Sequence, residues 1–282
     1  MASVLNTNMA SISAQRFLTS AQNKLGTSYE RLSSGLRINR AQDDAAGMGI
    51  SQSLTASIGA TTYAIRNAND AIGVLQTAEG ALAEVSSMLQ RFKELATQGN
   101  NAALSSTQKG YLSLEMDRLA LEIRATGSRT TFNTIPLLSK DATLTFQTGE
   151  ATTGTVDVNT VDITGSNFAQ TASLVGQSFT NADGSGNSSL NFNSLQDTID
   201  ASIAEISTQR AKFGAQVNRL THNVANLQAL HENLTSANSR IQDTDYANET
   251  AQLTKTQILQ QAATAMLSQA NAQPNVVLAL LK

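Results

Sequence analysis

An alternation of four- and three-residue steps governs the second half of this chain: Ile199, Ile203, Ile206, Arg210, Phe213, Val217, Leu220, Val224, Leu227, His231, Leu234, Asn238 and Ile241. Such spacing keeps one face of an α-helix turned towards a partner helix, as in a heptad seam. At 1.5 Å per residue that helix would be roughly 60 Å long. A helix of this length does not fit a sphere-like domain built from 282 residues, so an elongated bundle is expected. A shorter seam earlier in the chain, Leu75, Ala78, Leu82, Val85, Leu89, Phe92 and Ala96, supplies a partner. The fold class is therefore read as mainly α, an elongated antiparallel coiled coil or helical bundle, with Leu82, Leu89, Phe92, Phe213, Leu220 and Leu227 as its rod seam.

Composition points the same way. Proline costs about 3 kcal/mol inside a helix, and the chain has two. Aromatic residues make up 4% and charged residues 15%, which suits narrow seams better than a broad enzyme core. The net charge is −3 and Lys and Arg are scattered, so no basic stripe stands ready for nucleic acid or an anionic membrane. The most apolar stretch ends in PNVVLALLK, well short of the roughly 20 apolar residues a membrane span requires. The amino end, MASVLNTNMASISAQRF, shows no basic leader, apolar run or cleavage site of a secretory signal. The absence of Cys removes disulfides and thiol chemistry.

Between the seams the texture changes. Gly99-Asn100-Asn101 is expected to stop the first long helix, a shorter amphipathic helix to run over about Ser105–Ala125, and Gly127 to close it. From Lys140 the period becomes two, through Leu144 and Phe146 and then Val156, Val158, Val161 and Ile163, with the turn-rich GEATTG between them. This predicts a small β-hairpin element. The polar stretch Thr180–Ser189 reads as a surface loop.

Both ends are amphipathic. Val4–Leu36 carries a helical stripe of Phe17, Leu18, Ala21, Leu25, Tyr29, Leu32 and Leu36. Thr256–Leu281 contains no charged side chain, and its large apolar residues are Ile258, Leu259, Met266, Leu267, Val276, Val277, Leu278, Leu280 and Leu281. Burying these falls short of the conformational entropy lost on ordering the tail. The tail is therefore expected to be disordered in the monomer and helical in an assembly. Dense Gln, Asn, Ser and Ala at both ends suit close backbone approach and amide bonding between chains.

No catalytic, cofactor or metal constellation emerges. His222 and His231 fall about 180° apart on a helix and cannot share one metal. Asp43-Asp44 reads as a helix cap before AAGMGI. The GMG and GSG runs lack the G-K-[ST] ending of a phosphate loop and read as backbone flexibility or close packing. The Ser and Thr residues between Ser139 and Ser194 read equally as plain solvation or as carriers of O-linked sugars.

Several longer stretches identify a family. They are ERLSSGLRINRAQDDAAG from Glu30, RNANDAIGVLQTAEGAL from Arg66, LQRFKELATQ from Leu89, TTFNTIPLL from Thr130, then LTSANSRIQDTDYANET and QILQQAATAMLSQANAQPNVVLALLK. Over about Met1–Val158 and Asn193–Lys282 the chain resembles bacterial flagellin. The resemblance implies an extracellular structural protein that polymerises into the flagellar filament for motility. It implies paired terminal helices in an inner core, residues 1–46 with 242–282, and an outer-core rod, residues 47–194 with 195–241. The insert at about 139–193 is short for the family, so large outer domains are lacking.

Residues expected in polymerisation are Leu18, Leu25, Leu32, Leu36, Ile258, Leu259, Met266, Leu267, Val277, Leu280 and Leu281. Implied partners are copies of itself in a helical filament, a flagellar export chaperone, and the filament cap and hook-associated proteins. Export would follow the flagellar type III route without a cleaved signal peptide. A Toll-like immune receptor would recognise an epitope at Gln90, Arg91, Leu95 and Glu115. The alternatives are a hook–filament junction protein and a secreted host-receptor ligand or adhesin. Neither nucleic acid nor a membrane is an expected partner, and no cofactor is expected.

Overall fold

The computed structural model describes residues 7–150, 153–181 and 183–279. Along them lie α1 (Met9–Ser34), α2 (Ala45–Gly99), α3 (Ser106–Arg129), β1 (Thr131–Phe132), β2 (Ile135–Pro136), β3 (Ser139–Gln147), β4 (Thr155–Asp162), α4 (Ala169–Gly176), α5 (Phe192–Gln242) and α6 (Tyr246–Ala279). The chain forms two compact units, a terminal one of residues 1–58 with 232–282 and a central one of residues 59–231. The fold is mainly α, with antiparallel strand pairs β1–β2 and β3–β4.

In the central unit α2 and α5 run antiparallel. Gln196 donates to Thr97 Oγ1 at 3.0 Å, Lys93 meets Asp200 at 2.6 Å, and Arg210 Nε and Nη2 both donate to Glu79 Oε1. All six rod-seam residues are buried in this core, each contributing about 1.5–3 kcal/mol by leaving water. The exposed ion pairs fix register more than they stabilise.

α3 starts at a capping box, in which the Ser105 side chain accepts from Gln108 N and the Gln108 side chain accepts from Ser105 N. It does not close at Gly127. The helix continues to Arg129, and Gly127 is buried in a close contact where a Cβ would lie 2.9 Å from Ile163 Cδ1. The missing side chain serves packing here, not termination.

The β3–β4 hairpin has the expected alternation, with Leu144 opposite Val158 and Phe146 opposite Val156. Its period breaks past an irregularity between Ser139 and Ala142, where consecutive Thr160 and Val161 are both buried. The stretch after the hairpin holds more than a loop. A 3₁₀ turn over Ser166–Phe168 leads into α4, whose start is capped from α5 by Glu205, accepting from Gln170 N at 3.2 Å and Thr171 N at 3.1 Å. Phe179 then anchors the chain, fully buried with its ring centroid 5.5 Å from that of Phe92.

In the terminal unit α1 and α6 form an antiparallel pair. The first turns of α2 face the last turns of α5 through polar side chains, with Ser51 Oγ 2.7 Å from both Asn238 Oδ1 and Gln242 Oε1. Asp44 caps α2, accepting from Gly47 N at 2.8 Å. Among the described residues no helix is long and apolar enough to cross a membrane.

Candidate assembly surface

The α1–α6 pair is built on small residues. On α1 the seam runs Ser11, Ala14, Leu18, Ala21, Leu25, Ser28 and Leu32, of which Ser11, Ala14, Ala21 and Ser28 are buried and the leucines half-buried. On α6 it runs Leu253, Thr256, Gln260, Ala263, Leu267 and Ala270, with Thr256 buried and the others half-buried. Both sets step by three and four, the antiparallel coiled-coil period. A small residue at every second seam position lets the backbones close in. Among the described residues, α1 and α6 are the only long helices whose Cα atoms come within 8 Å of each other repeatedly along their lengths.

Hydrogen bonds fix the register of the pair. Asn8 Nδ2 donates to Ala270 O at 2.8 Å, Ser11 Oγ to Asn271 Oδ1 at 2.8 Å, and Gln257 Nε2 to Tyr29 Oη at 3.2 Å. Arg31 lies 3.6 Å from Glu249. Where α1 ends, Gly35 takes φ 73° as its left-handed cap, and the chain then pairs with the connection into α6. Arg37 N donates to Gln242 O at 2.6 Å and Thr244 N to Gly35 O at 2.9 Å. Asp245 caps α6, accepting from Ala247 N at 2.9 Å. Hydrogen bonds from the Asn248 backbone and side chain and from Ala247 N hold its carboxyl below the usual carboxylate range. The N–H groups of Arg40 and Asn39 do the same for Asp43.

A close seam of small residues leaves the larger ones outside. Phe17 is 71% exposed and Met266 61% exposed; Met9, Ile12, Ile258 and Leu259 also face solvent. On one flank Phe17, Lys24, Leu259, Ala262 and Met266 line a groove of about 410 Å³. Of the residues expected to act in polymerisation, Leu18, Leu25, Leu32, Leu36 and Leu267 are half-buried and Ile258, Leu259 and Met266 are exposed. Leu280, Leu281 and the side chain of Val277 lie outside the described residues. Phe17 and Tyr29, which belong to the apolar stripe read from sequence, point outwards. Their places are taken by Ser11, Ala14 and Ser28, which a search for large apolar residues passes over.

The proposed epitope residues lie in the central unit. Gln90, Arg91 and Glu115 are exposed, and Arg91 links α2 to α3 by pairing with Glu115 at 2.8 Å and Glu94 at 2.9 Å. Those two carboxylates raise its pKa. Leu95 is 1% exposed, so it supports this patch from beneath and cannot itself be touched. Among the described residues no group of three or more His, Cys, Asp or Glu could hold a metal.

Comparison with known proteins accounts for this arrangement. A family model described as the bacterial flagellin N-terminal helical region matches residues 5–143, and one described as the bacterial flagellin C-terminal helical region matches residues 196–281. The chain is 41% identical to a flagellin of Halalkalibacterium halodurans, covering 99% of this chain and 100% of that one. It is 38% identical to a flagellin of Bacillus subtilis, covering 99% of each. It is 37% identical to the flagellar filament 33 kDa core protein of Treponema phagedenis, covering 99% of this chain and all of that one. In fold it is similar to a putative flagellar hook-associated protein from Vibrio parahaemolyticus, with a TM-score of 0.58 and 14% identity over 71% of this chain and 100% of that one. The two matched regions contain both halves of the α1–α6 pair and of the α2–α5 pair, and the chain belongs to the bacterial flagellin family.

Proposed function

We propose that this chain is the structural subunit of an extracellular flagellar filament and that the α1–α6 pair is its polymerisation surface. The observation that carries the reading is the row of exposed apolar side chains on that pair, Phe17, Ile258, Leu259 and Met266, beside a seam too small to bury them. Covering each contributes about 1.5–3 kcal/mol, and contact with another chain supplies that cover. Burial then accompanies assembly, so the pair is marginal in the free subunit and fully ordered in the filament. Contacts between different faces of identical subunits repeat without closing, which yields a helical polymer.

The same exposed pair supports binding by an export chaperone before assembly and by cap and hook-associated proteins at the filament ends. The polar patch of Gln90, Arg91 and Glu115 is accessible and supports recognition by a Toll-like receptor, with Leu95 as its underlay. Removal of Gln273–Lys282 tests the filament reading. The truncated chain is expected to retain a folded central unit by circular dichroism and to form no filaments by electron microscopy. Normal filaments from that truncation would contradict it.

A further inference from the structure

Charge is unevenly distributed over the terminal unit. Residues 1–29 and 250–282 contain Arg16, Lys24, Lys255 and Lys282 and no Asp or Glu, in a chain whose net charge is −3. Arg16, Lys24 and Lys255 are exposed, and among the described residues none of them makes an ion pair. The end at which α1 turns and α6 begins is the opposite. Asp43, Asp44, Asp243 and Asp245 are all exposed there and likewise form no ion pair, whereas Glu30 and Glu249 are matched by Arg40 and Arg31. One unit therefore has cations without acids along its helical pair, whereas at its turn Glu30, Asp43, Asp44, Asp243, Asp245 and Glu249 outnumber Arg31, Arg37, Arg40 and Arg240.

Each place also carries apolar surface of a complementary kind. Lys24 stands in the groove of Phe17, Leu259 and Met266, and Lys255 precedes Leu259 by four residues, on the same helix face. At the turn, Tyr246, the first residue of α6, is 55% exposed. Its hydroxyl lies over Gly35, where a Cβ would be only 3.1 Å away, so the tip rests on the chain's own turn and a face of the ring is left open. We infer that the groove on the α1–α6 pair receives the turn of a second copy, with the open face of the Tyr246 ring against Phe17, Leu259 and Met266 and with Asp243 and Asp245 facing Lys24 and Lys255.

This contact rests on the filament-subunit reading and deepens it. Two pairs aligned in register would set cation against cation, a cost that displacement along the axis removes. Lys24 and Arg16 precede the end of α1 by roughly 15 and 27 Å at 1.5 Å per residue, so neighbouring copies are staggered by about that interval. Turn and groove are different parts of one surface, and the contact propagates instead of closing into a dimer.

Charge reversal tests it. A groove variant, Lys24→Glu with Lys255→Glu, and a turn variant, Asp243→Lys with Asp245→Asn, are each elongated on wild-type seeds and followed by light scattering. Asn at position 245 keeps the helix cap. Each variant alone is expected to elongate at least tenfold more slowly than wild type. An equimolar mixture on those seeds, and a single chain carrying all four changes on seeds of its own kind, are expected to recover to within threefold. Wild-type rates from either variant alone would overturn the contact, as would failure of both the mixture and the four-fold chain. If wild-type protein itself built no filaments, the subunit reading would fall instead.

Discussion

Thr134 is the residue most at odds with its backbone. It stands at φ 69° beside Asn133 at φ 48°, forming the two-residue turn between β1 and β2. Turns of this hand suit Asn and Gly, whereas a β-branched side chain at positive φ costs about 1–3 kcal/mol. Thr134→Gly is expected to stabilise the central unit by about 1 kcal/mol after the added freedom of the unfolded chain is subtracted, seen as a melting temperature higher by about 2–4 °C. An unchanged or lower melting temperature would show that no strain is relieved. Sequence reading missed this hairpin because Asn-Thr is a poor turn signal. It succeeded where side-chain chemistry is local, as with Asp44, which caps α2. Leu95 shows the limit of carrying roles over residue by residue. Its place in a recognised segment says nothing of its side chain, which the α2 seam turns inwards.

Among the elements, the long helices were legible because their apolar period is sustained over many turns, and β3–β4 because Leu144, Phe146, Val156 and Val158 alternate cleanly. α4 was not, since its eight residues are too few to establish a period and its cap, Glu205, lies on a distant helix. α1 was legible as an amphipathic helix, but the small residues of its buried face were not. Leu18, Ala21, Leu25 and Leu32 of the stripe lie in the seam, together with the small residues Ser11, Ala14 and Ser28, whereas Phe17 and Tyr29 of the stripe lie outside it. The close packing of α1 on α6 makes Ala21 sensitive to size. Ala21→Leu would force the pair apart at about 1–3 kcal/mol, while Phe17→Leu keeps an apolar group on the outer face. The critical concentration for polymerisation is expected to rise at least tenfold for Ala21→Leu and to change by less than threefold for Phe17→Leu, with the melting of the central unit unaltered in both. Equal behaviour of the two variants would mean that the small-residue seam has no special role.

For the whole molecule, family membership was legible from several motifs in order, and the comparisons establish it over nearly the full chain. Averages over the chain hid the distribution that matters. A net charge of −3 conceals an acid-free stretch at each end, and the apolar content does not reveal that the central unit buries most of its large side chains while the α1–α6 pair leaves Phe17, Ile258, Leu259 and Met266 exposed. The central claim is that the terminal pair completes its burial against other copies of the same chain. Hydrogen–deuterium exchange, on free subunits and on filaments from the same preparation, addresses it most directly. The account predicts that amides of Met9–Ser34 and Tyr246–Ala279 exchange within seconds in the free subunit, while those of α2 and α5 in the central unit remain protected, and that filament formation slows the terminal amides at least a hundredfold. Full protection of both terminal helices in the free subunit, unchanged on assembly, would contradict it.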